Sequence, residues 1–205
     1  MNPRSRHYKS PRRLASARAT RREIIEAARA LFAKKGYART SIADIARAAN
    51  VSVQTIYDSV GSKGALARSL SELIADDAEV GALETKRGTA DGRTLIALHV
   101  KTARLLNERF GDVMEALQSA APAAPGAARV IRDGVKRHHG DARETAEQLG
   151  KLGALKKGVS QMQAQALLSL TTLPQVLLRG HDDLDATWDM LERWITEALC
   201  AVLLG

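Results

Sequence analysis

The sequence predicts an all-α protein with a small N-terminal domain followed by a larger helical domain. Ala, Leu and Arg are abundant in its 205 residues and β-branched runs are scarce, a composition that favours helices. Apolar side chains recur three or four positions apart along most of the chain, which is the spacing of one helix face. Residues 1–65 hold fourteen Lys and Arg and four acidic residues, a net charge of +10. The whole chain has a net charge of +8, so the positive charge is concentrated in this segment. We therefore expect the N-terminal third to bind a polyanion, nucleic acid in preference to an anionic membrane surface.

The first 17 residues are basic and contain two prolines and no acidic residue. We expect them to form a flexible arm, because they include too few apolar residues to pack. Two interpretations stay open: a solvated tail, or an arm that lies along DNA, for example in a minor groove. The candidate DNA-contacting residues of the arm are Arg4, Arg6, Arg12 and Arg13.

Two helices are predicted next. The first covers residues 18–35 and ends at "KKGY", where two lysines suit the last turn and Gly36 suits a left-handed conformation. The second starts at Ser41, because Asp44 follows three residues later in the arrangement of a capping box.

The stretch "NVSVQTIY" at residues 50–57 has the composition of a β-strand but the position of a short helix. A lone strand would have no partner here, because no other segment is predicted as strand. Asn50 tolerates a left-handed turn and Ser52 can cap a helix. Helix, tight turn and capped helix together form a helix-turn-helix, whose second helix lies in the major groove of DNA. Small or polar residues on that helix, such as Gln54, would then face the bases.

The remainder of the chain is predicted to be helical as well. A helix capped by Ser62 is followed by a predicted loop at residues 81–93, which contain three Gly. Further helices are predicted at residues 93–109, 111–120, 127–149, 160–179 and 183–203, with Pro174 kinking or splitting the fourth of them. We therefore divide the chain into the arm at 1–17, a DNA-binding domain at 18–65, a connecting helix at 66–80 and a regulatory domain at 90–205.

The last predicted helix carries apolar residues on more than one side. Its heptad-like seam includes Leu184, Trp188, Leu191 and Ile195. Such a helix lies either at the centre of its domain or in an interface, and both alternatives stay open. We favour a homodimer interface, for which these four residues are the candidates.

Residues 21–66 resemble the N-terminal DNA-binding domain of tetracycline-repressor-type (TetR-type) transcriptional regulators. Four motifs carry the resemblance in order: "A-x-x-L-F-A-K-K-G-Y", "T-S-I-A-D-I-A", "A-x-V-S-x-x-T-I-Y" and "S-K-x-A-L". The resemblance assigns phosphate contacts to Thr40, Ser41, Tyr57 and Lys63, and major-groove positions to Ser52, Val53, Gln54 and Thr55.

Two departures from the pattern of the family involve three positions. Ser59 and Val60 stand where the family has His or Tyr followed by Phe, and Gly64 stands where Glu is common. Asp58 adds a negative charge near the expected DNA backbone. We therefore expect one phosphate contact to be lost, with the Arg-rich arm offsetting the loss.

The resemblance also implies a C-terminal domain that dimerises through its last two helices and holds a small-molecule pocket. The candidate pocket residues are His99, Phe110, Met114 and Met162, although core packing explains each equally well. The expected function is a homodimeric repressor that an unknown small-molecule effector releases from a palindromic double-stranded DNA operator. The alternative is a helical interaction or sensor protein of the same fold that binds DNA only weakly and without sequence preference.

Other chemistries find little support in the sequence. The segment "GALKKGVS" lacks the essential Lys of a phosphate-binding loop, and the adjacent His138 and His139 do not share a helix face, so no metal site is predicted. Neither a catalytic triad nor paired carboxylates are found, so we expect neither an enzyme nor a cofactor. One Cys, no secretory signal and no apolar run of membrane-span length lead us to expect a cytoplasmic protein.

Overall fold

The computed structural model describes residues 11–75 and 78–205, and these residues form ten α-helices. The helices are α1 (Pro11–Lys35), α2 (Ile42–Ala48), α3 (Val53–Ser59), α4 (Lys63–Ala75), α5 (Ala78–Arg87), α6 (Gly92–Ala120), α7 (Pro125–Lys151), α8 (Gln161–Thr171), α9 (Pro174–Asp183) and α10 (Trp188–Leu203). Over this part of the chain the β-structure is limited to an isolated antiparallel bridge between Leu155 and Leu204. The predicted all-α class is confirmed.

One hydrophobic cluster holds the N-terminal domain together. It centres on the fully buried Phe32, Ile45 and Ile56, which bring α1, α2 and α3 together. The same cluster includes Leu117 near the end of α6 and Ala127 near the start of α7. The N-terminal domain is therefore packed on the α6–α7 hairpin through α1 and α4.

A second cluster lies further along the same hairpin. Ile96 of α6, Leu149 of α7, Leu168 of α8 and Leu203 of α10 are all fully buried in it. Because α6 and α7 contribute to both clusters, these two helices physically connect the N-terminal domain with the C-terminal one.

The first helix begins at Pro11, well before the predicted residue 18. A proline fits the first turn of a helix, where its missing N–H would have no partner in any case, and the Arg, Leu and Ala residues that follow favour helix. The prediction of a flexible arm is therefore wrong for residues 11–17. Of the candidate arm residues, Arg4, Arg6 and the side chain of Arg12 lie outside the described residues, and Arg13 is exposed on α1.

The predicted loop at residues 81–93 is also wrong, because α5 extends to Arg87. Leu83 packs against Leu98 and Leu105 of α6, and this burial outweighs the low helix propensity of Gly81. Propensity alone could not show this, since the packing surface belongs to another helix.

The two predicted helices at 93–109 and 111–120 are one continuous helix, α6. Gly111 does not end it, because Leu178 of α9 fills the space beside this glycine: a Cβ there would lie 2.8 Å from Leu178 Cδ2. The glycine permits a close approach of α9, and it is not a helix stop.

The final helix starts at Trp188, five residues later than predicted. Thr187 caps it, with its hydroxyl accepting a hydrogen bond from the Met190 backbone N–H at 3.2 Å. Asp185 just before it has a φ of +50° and turns the chain. The predicted break at Pro174 is confirmed, because α8 ends at Thr171 and α9 begins at Pro174.

The N-termini of α4 and α7 cross at two glycines. A Cβ on Gly126 would lie 2.9 Å from Tyr37 Oη and 3.1 Å from the Cα of Gly64. Backbones therefore approach each other here without intervening side chains. A Cβ on Gly64 would lie 3.5 Å from the Cα of Gly126, an ordinary contact, so Gly126 is the position that has no room for a side chain.

Candidate nucleic-acid interface

The turn before α3 has the predicted geometry. Asn50 has a φ of +52°, the left-handed conformation that Asn tolerates better than most residues. Ser52 then caps α3, its hydroxyl accepting a hydrogen bond from the Thr55 backbone N–H at 3.0 Å. Ile56 is fully buried and fixes α3 on α1 and α2. Burial of this one residue sets which side of the short helix faces outward.

The outward side of α3 presents Val53, Gln54 and Tyr57 to solvent. Val53 is 42% exposed and Tyr57 is 51% exposed, so this side of α3 offers apolar surface to a partner. The Gln54 side-chain amide donates a hydrogen bond to Asp58 Oδ1 at 2.8 Å, one turn further along. The surface that a DNA groove could meet is therefore partly apolar and partly hydrogen-bonding.

Ser52 and Thr55 are engaged with each other at the start of α3. Their hydroxyl oxygens lie 2.8 Å apart, in addition to the capping bond. Ser52 is exposed and Thr55 is half-buried. Both hydroxyls thus stabilise the helix end and keep lone pairs free for a further contact.

Ser41 caps α2 in the predicted capping box. Its hydroxyl accepts from the Asp44 backbone N–H at 3.1 Å, while the Asp44 carboxylate accepts from the Ser41 backbone N–H at 3.1 Å. These hydrogen bonds hold the pKa of Asp44 below its usual value. Ser41 is exposed, so its position remains open to a phosphate.

Thr40 is buried, although it is one of the residues predicted to contact phosphate. Its side chain is 1% exposed, and its hydroxyl donates to the Gly36 carbonyl at 2.9 Å. The side chain therefore closes the turn between α1 and α2 and does not lie on the surface.

Lys63 stands at the start of α4 in a half-buried site. Its ammonium lies 4.4 Å from the centroid of the Tyr37 ring and donates to the Ala38 carbonyl at 3.2 Å. Partial burial lowers the pKa of Lys63. The charge is thus held in place by the ring and the carbonyl, beside the N-terminus of α4.

Arg21 is a residue that the sequence did not single out. Its guanidinium donates to the Ser59 carbonyl at 2.8 Å and to Ser69 Oγ at 2.9 Å, and so ties α1 to the end of α3 and the middle of α4. A cation at the C-terminus of α3 satisfies an otherwise unpaired carbonyl. Since 38 residues separate Arg21 from Ser59, no local pattern could have revealed the contact.

The four candidate pocket residues lie in three different surroundings. His99 is 1% exposed in the C-terminal domain, where its ring contacts Asp141 and Thr172. Phe110 lies under the guanidinium of Arg29, 5.0 Å from its ring centroid. Met114 packs against the N-terminal cluster, whereas Met162 is 77% exposed on α8. The structure does not bring these four residues together in one cavity.

The four candidate dimer residues also differ in position. Leu191 is buried against Gly180 of α9, and Trp188 stacks on the ring of His181 with centroids 4.5 Å apart. Ile195 packs partly on the second cluster, and Leu184 is 71% exposed in the turn before α10. The predicted seam therefore faces mainly inward.

A different face of α10 is left open to solvent. Trp194 is 45% exposed and Val202 is 52% exposed, with the exposed Ala198 between them. On the neighbouring α8, the exposed residues Met162 and Leu170 lie two helical turns apart. We call these residues, together with Ala166 of α8, the α8–α10 apolar surface.

Two open depressions occur on the C-terminal domain. One has a volume of about 380 Å³ and lies around His181 and Asp185. The other has a volume of about 220 Å³ and lies between α6 and α10, beside Arg104 and Glu192, which form an ion pair at 2.7 Å. Neither depression is lined by the candidate pocket residues.

Residues 11–75 and 78–205 contain no group of three or more His, Cys, Asp or Glu side chains that could hold a metal ion. No helix in the same ranges has the length and apolarity needed to cross a bilayer.

Comparison with known proteins identifies the N-terminal domain. Residues 24–70 match the family model of bacterial regulatory proteins of the tetR family. No curated protein is a significant match to the sequence. The family match falls on the residues that form α1 to α4 and the helix-turn-helix.

Solved structures of regulators share the fold of nearly the whole chain. NalD, the secondary repressor of the MexAB-OprM multidrug efflux pump in Pseudomonas aeruginosa, is 19% identical with a TM-score of 0.73 over 93% of this chain and 98% of that chain. FadR from Bacillus subtilis, in complex with stearoyl-CoA, is 20% identical with a TM-score of 0.70 over 88% and 97%. SmeT, in complex with triclosan, is 18% identical with a TM-score of 0.72 over 91% and 92%. The predicted arrangement of an N-terminal helix-turn-helix domain and a C-terminal helical domain is confirmed.

Proposed function

We propose that the chain is a DNA-binding transcription regulator of the tetR family, whose model matches residues 24–70, and that it acts as a homodimeric repressor. It binds a palindromic operator through α3, and a small-molecule ligand releases it. The observation that carries this proposal is the exposed face of α3, which is mounted on the buried Ile56.

The size of α3 suits the groove. An α-helix with its side chains is about 10–12 Å in diameter, and the major groove of B-DNA is about 12 Å wide. Gln54 can pair with the N6 and N7 atoms of adenine once its amide leaves Asp58, and the Val53 methyl groups can contact a thymine methyl. Ser52 and Thr55 would contact bases near the start of the helix.

Phosphate contacts would flank this base-reading helix. Tyr57 is exposed with its ring on the outer surface, and Ser41 lies at the start of α2. Lys63 can exchange the Ala38 carbonyl for a phosphate with a small movement of its ammonium group. These contacts would position the protein, while α3 would supply sequence preference.

The α8–α10 apolar surface supports the homodimer. Its members come from two helices that pack on each other through the second cluster, so they form one continuous region. Contiguous exposed apolar residues of this kind are typical of interfaces. A twofold axis through this surface would place two copies of α3 for two related half-sites.

Release by a ligand is supported by the shared helices α6 and α7. Both helices pack in the N-terminal cluster and in the C-terminal one, so a shift in their packing moves the base of the helix-turn-helix. The structures of FadR with stearoyl-CoA and SmeT with triclosan show that this fold accommodates small molecules in those proteins. A ligand that prefers the non-binding arrangement would lower DNA affinity by population shift.

The test is selection of bound sequences from a pool of random double-stranded DNA by the purified full-length protein. Enrichment of an inverted repeat is the expected result. Asp58, exposed beside Gln54 on α3, motivates the second candidate, a protein that binds DNA weakly and without sequence preference. Recovery of no common sequence would contradict the repressor proposal and favour that alternative.

A further inference from the structure

A cluster of charged and polar side chains is buried between α5, α6 and α7. Arg87 of α5 donates to Asp141 at 2.9 Å and to Thr145 at 3.0 Å, both on α7. Asp141 also accepts from His99 of α6 at 2.7 Å. The hydroxyl of Thr172, just after α8, lies 3.2 Å from the other ring nitrogen of His99. This network is separate from the helix-turn-helix.

The network uses only one part of the Arg87 guanidinium. The side chain is 6% exposed, and its Nη1 makes the contacts with Asp141 and Thr145. Among the described residues, neither Nε nor Nη2 has a hydrogen-bond partner. Glu84 comes within 3.4 Å of Nε without forming a hydrogen bond, and half of its side chain is in solvent. Burying a charged donor that makes no hydrogen bond costs free energy. A ligand that accepts hydrogen bonds from Nε and Nη2 would offset this cost.

The shape of the free edge indicates the chemistry that it fits. The Nε–H and one Nη2–H lie on the same side of a planar group and form a fork with the spacing of two carboxylate oxygens. Two carboxylates, Glu84 and Asp141, already flank Arg87, so a monoanion is favoured over the more highly charged phosphate.

Apolar residues lie one helical turn before Arg87 on α5. Leu83, one turn before Arg87 on α5, packs with Leu98 and Leu105 of α6 in a small cluster separate from the two main ones. A ligand that extends from Arg87 along this side of α5 therefore meets hydrocarbon. The combination fits a carboxylate attached to an apolar body.

We propose that Arg87 binds the carboxylate of a small organic acid, which is the effector of this regulator. The effect of this ligand on DNA affinity rests on the proposed function, whereas its binding to Arg87 does not. Glu84 swings into solvent as the ligand carboxylate takes the Nε–Nη2 edge of Arg87. The Nη1 contacts to α7 persist, so the ligand acts on the same helix that crosses α4 at Gly126.

The route from this site to the helix-turn-helix runs along α7. Asp141 and Gly126 are fifteen residues apart on one continuous helix, a distance of about 22 Å. Gly126 touches Gly64, the neighbour of Lys63. A small tilt of α7 at Asp141 therefore changes the position of the N-terminus of α4.

The experiment measures binding of sodium acetate, butyrate, octanoate and benzoate to the purified full-length protein by calorimetry, without DNA. The matched alcohols ethanol, butanol, octanol and benzyl alcohol are the controls. At least one carboxylate is expected to bind at least about tenfold more tightly than its alcohol, because only the carboxylate engages the fork. If no carboxylate binds, or if the alcohols bind equally well, the proposal is overturned.

Two variants test the assignment to Arg87. Arg87→Lys keeps the charge but loses the fork, and it is expected to weaken carboxylate binding at least about tenfold. Glu84→Gln removes the competing carboxylate at a half-exposed position and is expected to tighten binding several-fold, and it keeps the test decisive if Arg87→Lys does not fold. Unchanged carboxylate binding in Glu84→Gln, or in a folded Arg87→Lys, overturns the assignment.

The effect on DNA is measured separately on the operator found by selection. A carboxylate that binds the wild-type protein is expected to lower its DNA affinity at least about fivefold. Binding without any change in DNA affinity overturns the effector role. Failure of the ligand-free protein to select any DNA sequence is a different outcome, because it contradicts the proposed function and leaves the calorimetric result intact.

Discussion

The side chains of the proposed DNA interface, on α3 and at the start of α4, each have a separate role in the proposed DNA complex. Gln54 is held by Asp58 in the free protein, so its amide must exchange a carboxylate for a base edge. Lys63 is held by a carbonyl and an aromatic ring in the free protein. Its proposed partner in DNA is a phosphate, which is the same group at every base pair. The two residues should therefore respond differently to mutation.

Gln54→Ala is expected to relax the base preference at one position of each half-site. A bidentate pair with adenine is worth about 1–3 kcal/mol of discrimination, so the difference between adenine and the other bases should shrink by that amount. The measurement is the affinity for the selected operator and for its single-base variants. An unchanged preference at every position would show that Gln54 does not read a base.

Lys63→Ala is expected to weaken binding to all DNA sequences to a similar extent. Loss of one phosphate contact from each protomer, two in the dimer, should also reduce the slope of log affinity against log salt by about 2. Lys86→Ala is the matched control, because Lys86 is an exposed lysine on α5, outside the proposed interface. Equal salt slopes for the two variants would remove Lys63 from the contact set.

Packing between helices explains both what the sequence could predict and what it could not. The caps at Ser41 and Ser52 and the left-handed Asn50 are local, because each depends on residues within a few positions. The sequence therefore predicted the helix-turn-helix nearly residue by residue. Gly81 and Gly111 were misread as breaks because their helices are stabilised by residues on other helices.

The candidate site was predictable to the same extent. The base-reading positions follow from the local register of α3, and they remain predictions until DNA binding is measured. Thr40 was misassigned because its burial depends on how α1 and α2 pack. Arg21 and Arg87 act over 38 and 58 residues of chain, a separation at which a single sequence has no local signal.

The crossing of α4 and α7 predicts a specific sensitivity to added volume. Gly126→Ala is expected to destabilise the protein by about 1–3 kcal/mol, because the new Cβ would meet Tyr37 and the backbone of Gly64. The matched control is Gly140→Ala in the same helix, where nothing lies within 4 Å of the added Cβ. That variant should be stabilising by about 0.5–1 kcal/mol, since Ala favours helix. Denaturant unfolding of the two variants decides the point, and similar values for both would contradict the crossing.

The contact between α7 and α8 predicts a dependence of stability on pH. Burial lowers the pKa of His138, although the hydrogen bond to the Ser169 carbonyl at 2.8 Å acts in the opposite direction. An unfolded His titrates near about 6.5, so below that pH the unfolded state binds a proton that the folded state excludes. This contribution to stability is complete above about pH 6.5 and is lost as the pH falls towards the lowered pKa.

His138→Gln is expected to flatten this dependence. The melting temperature of the wild-type protein should fall more steeply between pH 7.5 and 5.5 than that of the variant, with differential scanning calorimetry as the measurement. Parallel curves for the two proteins would mean that His138 is not the group responsible.

At the scale of the whole molecule, we expect the α8–α10 apolar surface to form the proposed dimer interface. The predicted seam at Leu191 is already used inside the protomer, so a partner would have to meet Trp194, Ala198 and Val202 instead. Pairing through this surface would leave the helix-turn-helix domains free to bind DNA together.

Trp194→Glu is expected to convert the dimer to a monomer and to weaken operator binding at least about tenfold, because a buried unpaired charge opposes association. Sedimentation velocity gives the mass directly. Leu152→Glu is the control, since Leu152 is 54% exposed just after α7 and outside this surface. If Trp194→Glu dimerised as strongly as the control variant, the α8–α10 apolar surface would not be the dimer interface.

The central claim is that two copies of α3 lie in the major groove. Methylation interference on the selected operator tests it most directly, because methyl groups on guanine N7 block the major groove whereas those on adenine N3 block the minor groove. If two copies of α3 occupy the major groove, methylation will interfere at guanines in two major-groove segments. These segments will be related by inverted symmetry and separated by about one helical turn or more. Interference confined to adenines, or spread evenly along the DNA, would contradict it.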